Sequence, residues 1–89
     1  MKLGRTRFYE KRYKELPKHL KAAADEALGR FQENAAHPSL RIEKLSGSES
    51  LWSLRVTHKV RITFRYGEDE AVVLEDIGGH EVYQRLRSR

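Results

Sequence analysis

Between residues 51 and 66 the chain alternates apolar and polar residues along two stretches, with Thr57-His58-Lys59 between them. Alternation of period two marks a strand with one buried face, and it ties pairing register to the choice of core face. Trp52, Leu54 and Val56 share one face of the first stretch; Val60, Ile62 and Phe64 share one face of the second. A two-residue turn at His58-Lys59 would set Val56 opposite Arg61 and bury a guanidinium. A three-residue turn, Thr57-His58-Lys59, sets Val56 opposite Val60, Leu54 opposite Ile62 and Trp52 opposite Phe64. The apolar set then closes, so the longer turn is predicted.

The other face of this hairpin follows from the same register. Arg55 falls opposite Arg61, Ser53 falls opposite Thr63, and Arg65 lies two residues further along the same side. Like charges directly across a strand pair are destabilising, so folding alone gives no reason to place two guanidiniums there. An anion does, because planar guanidinium forks grip phosphate oxygens through paired charge-assisted bonds. Neutralisation by Glu43, Glu75 or Asp76 is the alternative, and the sequence leaves it open.

The rest of the chain supplies the layers around this hairpin. Residues 2–8 suit a short edge strand, with Thr6 as the N-cap of a helix over 7–15. Tyr9, Tyr13 and Leu16 make one apolar stripe at helical spacing. Pro17 suits the first turn of a second helix over 17–34, where its missing N–H costs nothing. Leu20, Ala24, Ala27, Leu28 and Phe31 share a face of that helix; Lys18, Lys21, Asp25 and Gln32 lie opposite. His37-Pro38 ends the helical half. Strands are predicted around Leu40 and Ile42 and over 51–57, 60–66 and 71–76, with 46–50 and 67–70 as turns. Ala71-Val72-Val73-Leu74 is apolar on both faces and reads as a central strand. The predicted fold is α+β: a helical hairpin on one face of an antiparallel sheet of four to five strands, in the order β-α-α-β-β-β-β. At 89 residues the chain makes one domain.

Composition narrows the function. Eighteen Lys and Arg against thirteen Asp and Glu give a formal charge of +5, which suits nucleic acid or an acidic partner. The chain has no cysteine, which excludes disulfides and thiolate metal sites. No apolar run reaches membrane-span length and the first residues lack a signal-peptide core, so a cytoplasmic protein without membrane contact is expected. His19, His37, His58 and His80 are scattered without ligand spacing, so neither a metal nor another cofactor is expected.

After the last strand comes Asp76-Ile77-Gly78-Gly79-His80-Glu81-Val82-Tyr83, followed by a short basic tail. The glycines let the backbone turn sharply and carry a following side chain over the sheet. An imidazole suits proton transfer near neutrality. A tyrosine can stack on a base or offer its hydroxyl.

Taken together, His-Pro-Ser-Leu-Arg (37–41), Lys-Leu-Ser-Gly (44–47), Leu-Trp-Ser-Leu-Arg-Val (51–56), Val-Arg-Ile-Thr-Phe (60–64) and the 76–83 motif resemble the RelE/ParE toxin superfamily. The helix entry Phe-Tyr-Glu-Lys-Arg-Tyr-Lys-Glu-Leu-Pro (8–17) extends the likeness to nearly the whole chain. The resemblance is strongest to the branch ending in an aspartate-isoleucine-glycine, histidine, valine-tyrosine motif. It implies the toxin of a type II toxin–antitoxin system: a ribosome-dependent endoribonuclease, or mRNA interferase, that blocks translation. It also implies a cognate antitoxin, with which the toxin forms a hetero-oligomer, and the ribosome and mRNA as partners.

The resemblance further implies catalytic roles for four residues. Arg55 stands at a strand Lys/Arg position and Arg61 at the near-universal strand arginine. His80 stands at the acid/base histidine of the YafQ- and YoeB-like members, and Tyr83 at the terminal aromatic. Tyr83 is one residue nearer the histidine than in the usual motif, and Ser53 replaces a lysine of the RelE branch. Arg41, Lys59, Arg65 and the tail arginines Arg85, Arg87 and Arg89 are expected to contact RNA by charge. Two other functions suit the same fold: a ParE-like toxin that binds DNA gyrase without cutting nucleic acid, and a non-catalytic module that only pairs with an antitoxin.

Overall fold

In the computed structural model, which describes residues 1–88, the chain runs β1 (Lys2–Arg5), α1 (Arg7–Glu15), α2 (Lys18–Glu33), a 3-10 turn (Pro38–Leu40), β2 (Glu43–Lys44), β3 (Trp52–Arg55), β4 (Arg61–Tyr66), β5 (Ala71–Gly78) and α3 (Glu81–Arg87). The central hairpin takes the register its apolar residues demand. Trp52 pairs with Phe64, Leu54 with Ile62, Ser53 with Thr63 and Arg55 with Arg61. Val56 N donates to Val60 O at 2.9 Å, which closes the turn over 57–59. Thr57 Oγ1 accepts from Val60 N at 3.1 Å and stiffens it.

Local chemistry sets the helix ends. Thr6 Oγ1 accepts from Tyr9 N at 3.1 Å, as an N-cap does. The same hydroxyl donates to Glu75 O at 2.7 Å, fixing the start of α1 against β5. Leu16 turns extended (ψ 146°) ahead of Pro17, which precedes α2. Tyr13 Oη donates to the Asp25 carboxylate at 3.0 Å and ties the two helices together.

The five strands form one sheet in the order β1-β5-β4-β3-β2. The sheet is mixed, where an antiparallel one was expected: β1 runs parallel to β5, with Leu3 beside Val72 and Arg5 beside Leu74. Everything from α1 to β4 serves as the long crossover a parallel pair needs. A four-residue strand at the chain start carries no signal of its direction, which is why the sequence could not reveal it. The expected basic tail is also different: residues 81–87 form a helix.

The core lies between the helical hairpin and one face of the sheet. Ala24 and Ala27 are wholly buried and let α2 approach closely, bringing Phe31 within 5.1 Å of Phe64 between ring centroids. Leu54, Ile62, Val72, Leu74 and Ile77 complete this layer from the strands. Leu74 and Ile77 cannot share a face under strict alternation. They do so because the register shifts: Thr63 faces Asp76 and Phe64 faces Leu74, leaving Glu75 as the extra residue of a bulge.

Tyr9 is the exception inside this core. It is 2% exposed, and among the described residues its hydroxyl has no hydrogen-bond partner. Burial pushes its pKa up from 10.0 to about 12, with the nearby Arg5 charge acting in the opposite direction. Because the folded value is raised, the stability linked to this group is intact below pH 10 and is lost as pH climbs through about 12. Tyr9→Phe removes the unsatisfied hydroxyl and is expected to raise stability by about 1 kcal/mol. Urea unfolding reads the gain, and absorbance titration at alkaline pH reads the loss of the Tyr9 ionisation.

Candidate functional site

The sheet face away from α1 and α2 is polar, and register decides what it carries. Glu43 stands opposite Ser53, Ser53 opposite Thr63, and Thr63 opposite Asp76, making one polar row across four strands. The neighbouring row sets Arg55 opposite Arg61 and Arg61 opposite Gly78. Ser53, Thr63 and Asp76 are fully buried, whereas Arg55 and Arg61 are half-buried.

Arg61 reaches across the face toward the β2 edge. Its Nε donates to Ser53 Oγ at 3.2 Å and its Nη2 to the Arg41 carbonyl at 2.8 Å. Arg41 itself is exposed and holds a left-handed conformation, φ 42°, just after the 3-10 turn. Both acceptors are neutral, so they orient the guanidinium without cancelling its charge. Among the described residues neither Arg55 nor Arg61 forms an ion pair. The three carboxylates offered as neutralising partners are disposed otherwise: Glu75 pairs with Arg65, Asp76 pairs with Arg85, and Glu43 is exposed, with no ion pair among the described residues.

The C-terminal motif folds back over this face. Gly78 takes φ 157°, and a Cβ there would stand 2.8 Å from Glu81 Oε1 and 2.9 Å from Val82 Cγ2. Only the absence of a side chain lets α3 come this close. Val82 is 1% exposed, and the Arg85 guanidinium grips Asp76 through Nε–Oδ2 and Nη2–Oδ1 contacts of 3.0 Å each. The bond to Asp76 is the main cause that pushes the Arg85 pKa above its ordinary value. Glu81 Oε1 accepts from Gly79 N at 3.0 Å. The backbone N–H groups of Glu81 and Gly79 hold the Glu81 carboxyl below its usual range.

His80 and Tyr83 come together on the outer side of α3, with ring centroids 5.7 Å apart at 72°. Both line a cleft of about 930 Å³, whose opposite wall is the loop carrying Leu45, Ser46, Gly47 and Leu51. Arg55 and Arg61 do not line that cleft. The link between the two groups is the Arg61–Gly78 pair, two residues ahead of His80. A Cβ at Gly79 would lie 3.4 Å from Lys59 O, so the turn over 57–59 abuts the same backbone.

The structure therefore sets Arg55 beside Arg61, with the Arg41 backbone carbonyl bonded to Arg61, and His80 with Tyr83 in another group. Arg65 and Arg85 are each engaged by a carboxylate, and Arg89 lies outside the described residues. Among the described residues no three His, Asp or Glu side chains converge to hold a metal, and no helix is long and apolar enough to cross a membrane. Sequence reasoning missed α3, the Asp76–Arg85 pair and the loop wall of the cleft. The i, i+4 spacing of Glu81 with Arg85 and of Val82 with Leu86 was the available signal for α3.

A helical hairpin on one face of a five-stranded sheet is an α+β fold shared with solved toxin structures. The chain superimposes on the YoeB/ParE toxin from Agrobacterium tumefaciens with a TM-score of 0.74, covering 90% of this chain and 99% of that one at 19% identity. Against the RelB–RelE antitoxin–toxin complex from Methanococcus jannaschii the TM-score is 0.71, with 93% and 96% covered at 13% identity. Against the E. coli DinJ–YafQ toxin–antitoxin complex it is 0.73, with 90% and 92% covered at 15% identity. The chain has the RelE/ParE-superfamily toxin fold. No family model and no curated protein matches its sequence.

Two measurements probe how α3 is seated. Gly78→Ala is expected to cost about 1–3 kcal/mol through overpacking against Glu81 and Val82, read as a lowered urea midpoint. Glu81, its carboxyl depressed in the folded state, contributes fully above its ordinary value of 4.5, and that contribution disappears as pH falls through the lower folded value. Amide shifts of residues 79–82 should move in that acid window in the parent and stay still in Glu81→Gln.

Proposed function

We propose that the chain is the toxin of a type II toxin–antitoxin system and acts as a ribosome-dependent endoribonuclease. The observation that carries this reading is the arginine row. Arg55 lies directly opposite Arg61 on a polar sheet face, and neither is met by a carboxylate among the described residues. Two adjacent unneutralised guanidiniums are a poor solution for folding and a good one for a phosphodiester. The superfamily toxin fold agrees with it.

The chemistry needs no group beyond RNA and protein. The 2′-OH attacks the adjacent phosphorus, a P–O2′ bond forms, and the P–O5′ bond breaks. One group takes the 2′ proton, another gives a proton to the leaving 5′ oxygen, and cationic donors stabilise the phosphorane charge. Arg61 and Arg55 serve as the donors. His80 is the acid or base, and Tyr83 stacks on a flanking base or assists the proton transfer. Lys59, exposed in the hairpin turn, and Arg41 hold flanking phosphates. The product is a 2′,3′-cyclic phosphate that opens to a 3′-phosphate, and DNA, lacking the 2′-OH, is not cut.

An antitoxin with acidic segments suits the +5 charge. The complexes of RelE with RelB and of YafQ with DinJ supply the precedent for such a hetero-oligomer.

A second reading rests on the separation of the two groups: His80 and Tyr83 line a cleft that the arginines do not. A binding toxin of the gyrase-directed kind, or a non-catalytic antitoxin partner, needs no proton shuttle near its cations. Mapping mRNA ends in a translation extract, beside a gyrase supercoiling assay, separates these readings. The nuclease reading expects new 5′ ends only when ribosomes are present. It expects His80→Ala to lose about 10²–10⁴-fold in cleavage rate and Arg61→Ala about 10²–10³-fold. Cleavage unchanged in both variants removes the assignment, and supercoiling inhibition without cleavage replaces it.

A further inference from the structure

Helix α3 has seven residues. A free helix of that length does not hold in water, so the directions of its side chains are inherited from its anchors. Two stripes with i, i+3 spacing run along it. Val82 and Arg85 form the anchored stripe: Val82 is buried, and Arg85 is bidentate to Asp76. His80 and Tyr83 form the other, against the cleft. Fixing the first stripe fixes the second.

Asp76 is well suited to be the fixed post. It is 0% exposed, and its Oδ1 accepts from its own neighbour Ile77 N at 2.8 Å. The carboxylate is therefore held by β5 itself. A guanidinium fork docked on two oxygens restricts rotation as well as distance, which a point charge does not. Arg85 Nη2 reaches the Ile77 carbonyl as well, at 3.4 Å.

We propose that Asp76 and Arg85 are positioning residues, whose buried ion pair sets the roll of α3 on β5 and thereby aims His80 and Tyr83. Neither touches the substrate. The consequence for activity rests on the nuclease reading above; the consequence for side-chain geometry does not.

The test uses the full chain. Asp76→Asn keeps the size of the side chain and its bond to Ile77 N while removing the charge. Asp76→Asn combined with Arg85→Gln restores a neutral hydrogen-bonded pair. Arg85→Lys keeps the charge and removes the fork. The first readout is the ring-to-ring NOE between His80 and Tyr83, with the Phe31–Phe64 NOE as the internal check of folding. The second is the split of kcat against KM for ribosome-dependent cleavage.

The expected result in Asp76→Asn and in Arg85→Lys is loss of the His80–Tyr83 NOE with the Phe31–Phe64 NOE intact. kcat should fall by up to about a hundredfold, the cost of a misplacement near 1 Å, with KM nearly unchanged. The double variant should recover both readouts in part. An undiminished His80–Tyr83 NOE in folded Asp76→Asn overturns the proposal, as does a rise in KM at constant kcat. Should Asp76→Asn lose the Phe31–Phe64 NOE, Arg85→Lys decides by the same criteria. A parent protein that cuts no RNA defeats the nuclease reading alone, and the NOE then decides the positioning role.

Discussion

In the strand register no residue of β4 stands opposite Glu75, because Thr63 faces Asp76 while Phe64 faces Leu74. That one extra residue sorts the C-terminal half of β5 between the two faces. Strict alternation from Leu74 would turn Asp76 into the apolar layer and Ile77 out of it. A carboxylate among Leu54, Ile62 and Phe64 would face a desolvation cost with no cation near enough to offset it. The bulge sends Ile77 into the core at 1% exposure and Asp76 to the polar face, where Arg85 meets it. The helical core, the polar row and the seat of α3 all depend on this shift.

The two faces of the sheet are stabilised by different means. The first is conventional apolar packing against α1 and α2, made close by Ala24 and Ala27. The second is a hydrogen-bonded surface. Ser53 Oγ accepts from Arg61, Thr63 Oγ1 donates to Asp76 O at 3.4 Å, and Asp76 is held by Ile77 N and Arg85. Buried hydroxyls and carboxylates are tolerated there because each has a partner. Since the helical layer stabilises the fold, the second face is free to carry charge.

How far the sequence revealed this arrangement depends on the range of each signal. The hairpin register was legible, because only one turn length closes the apolar set, and with it came the Arg55–Arg61 juxtaposition. The Thr6 cap and the two long helices were legible for the same local reason. The direction of β1 was not, since its pairing with β5 spans most of the chain. The bulge was hidden because Leu74-Glu75-Asp76-Ile77 allows the extra residue at more than one place. Arg85 read as one tail arginine among three, and nothing local distinguishes the one that finds Asp76 nine positions away.

That last ambiguity bears on how arginines acquire different roles on one small surface. Arg85 and Arg61 are both held by two or more hydrogen bonds, and both lie across the same polar face. Arg85 meets a carboxylate fully withdrawn from water, so its charge is consumed locally and what remains is geometry. Arg61 meets a hydroxyl and a carbonyl, so its direction is fixed while its charge still acts outward. Arg55 beside it adds a second positive charge. Partner chemistry, more than position in the sequence, separates the arginine paired with a carboxylate from the two that we propose face an anion. The bulge at Glu75 places Asp76 under α3, where Arg85 meets it, and among the described residues Arg55 and Arg61 are left without a carboxylate partner.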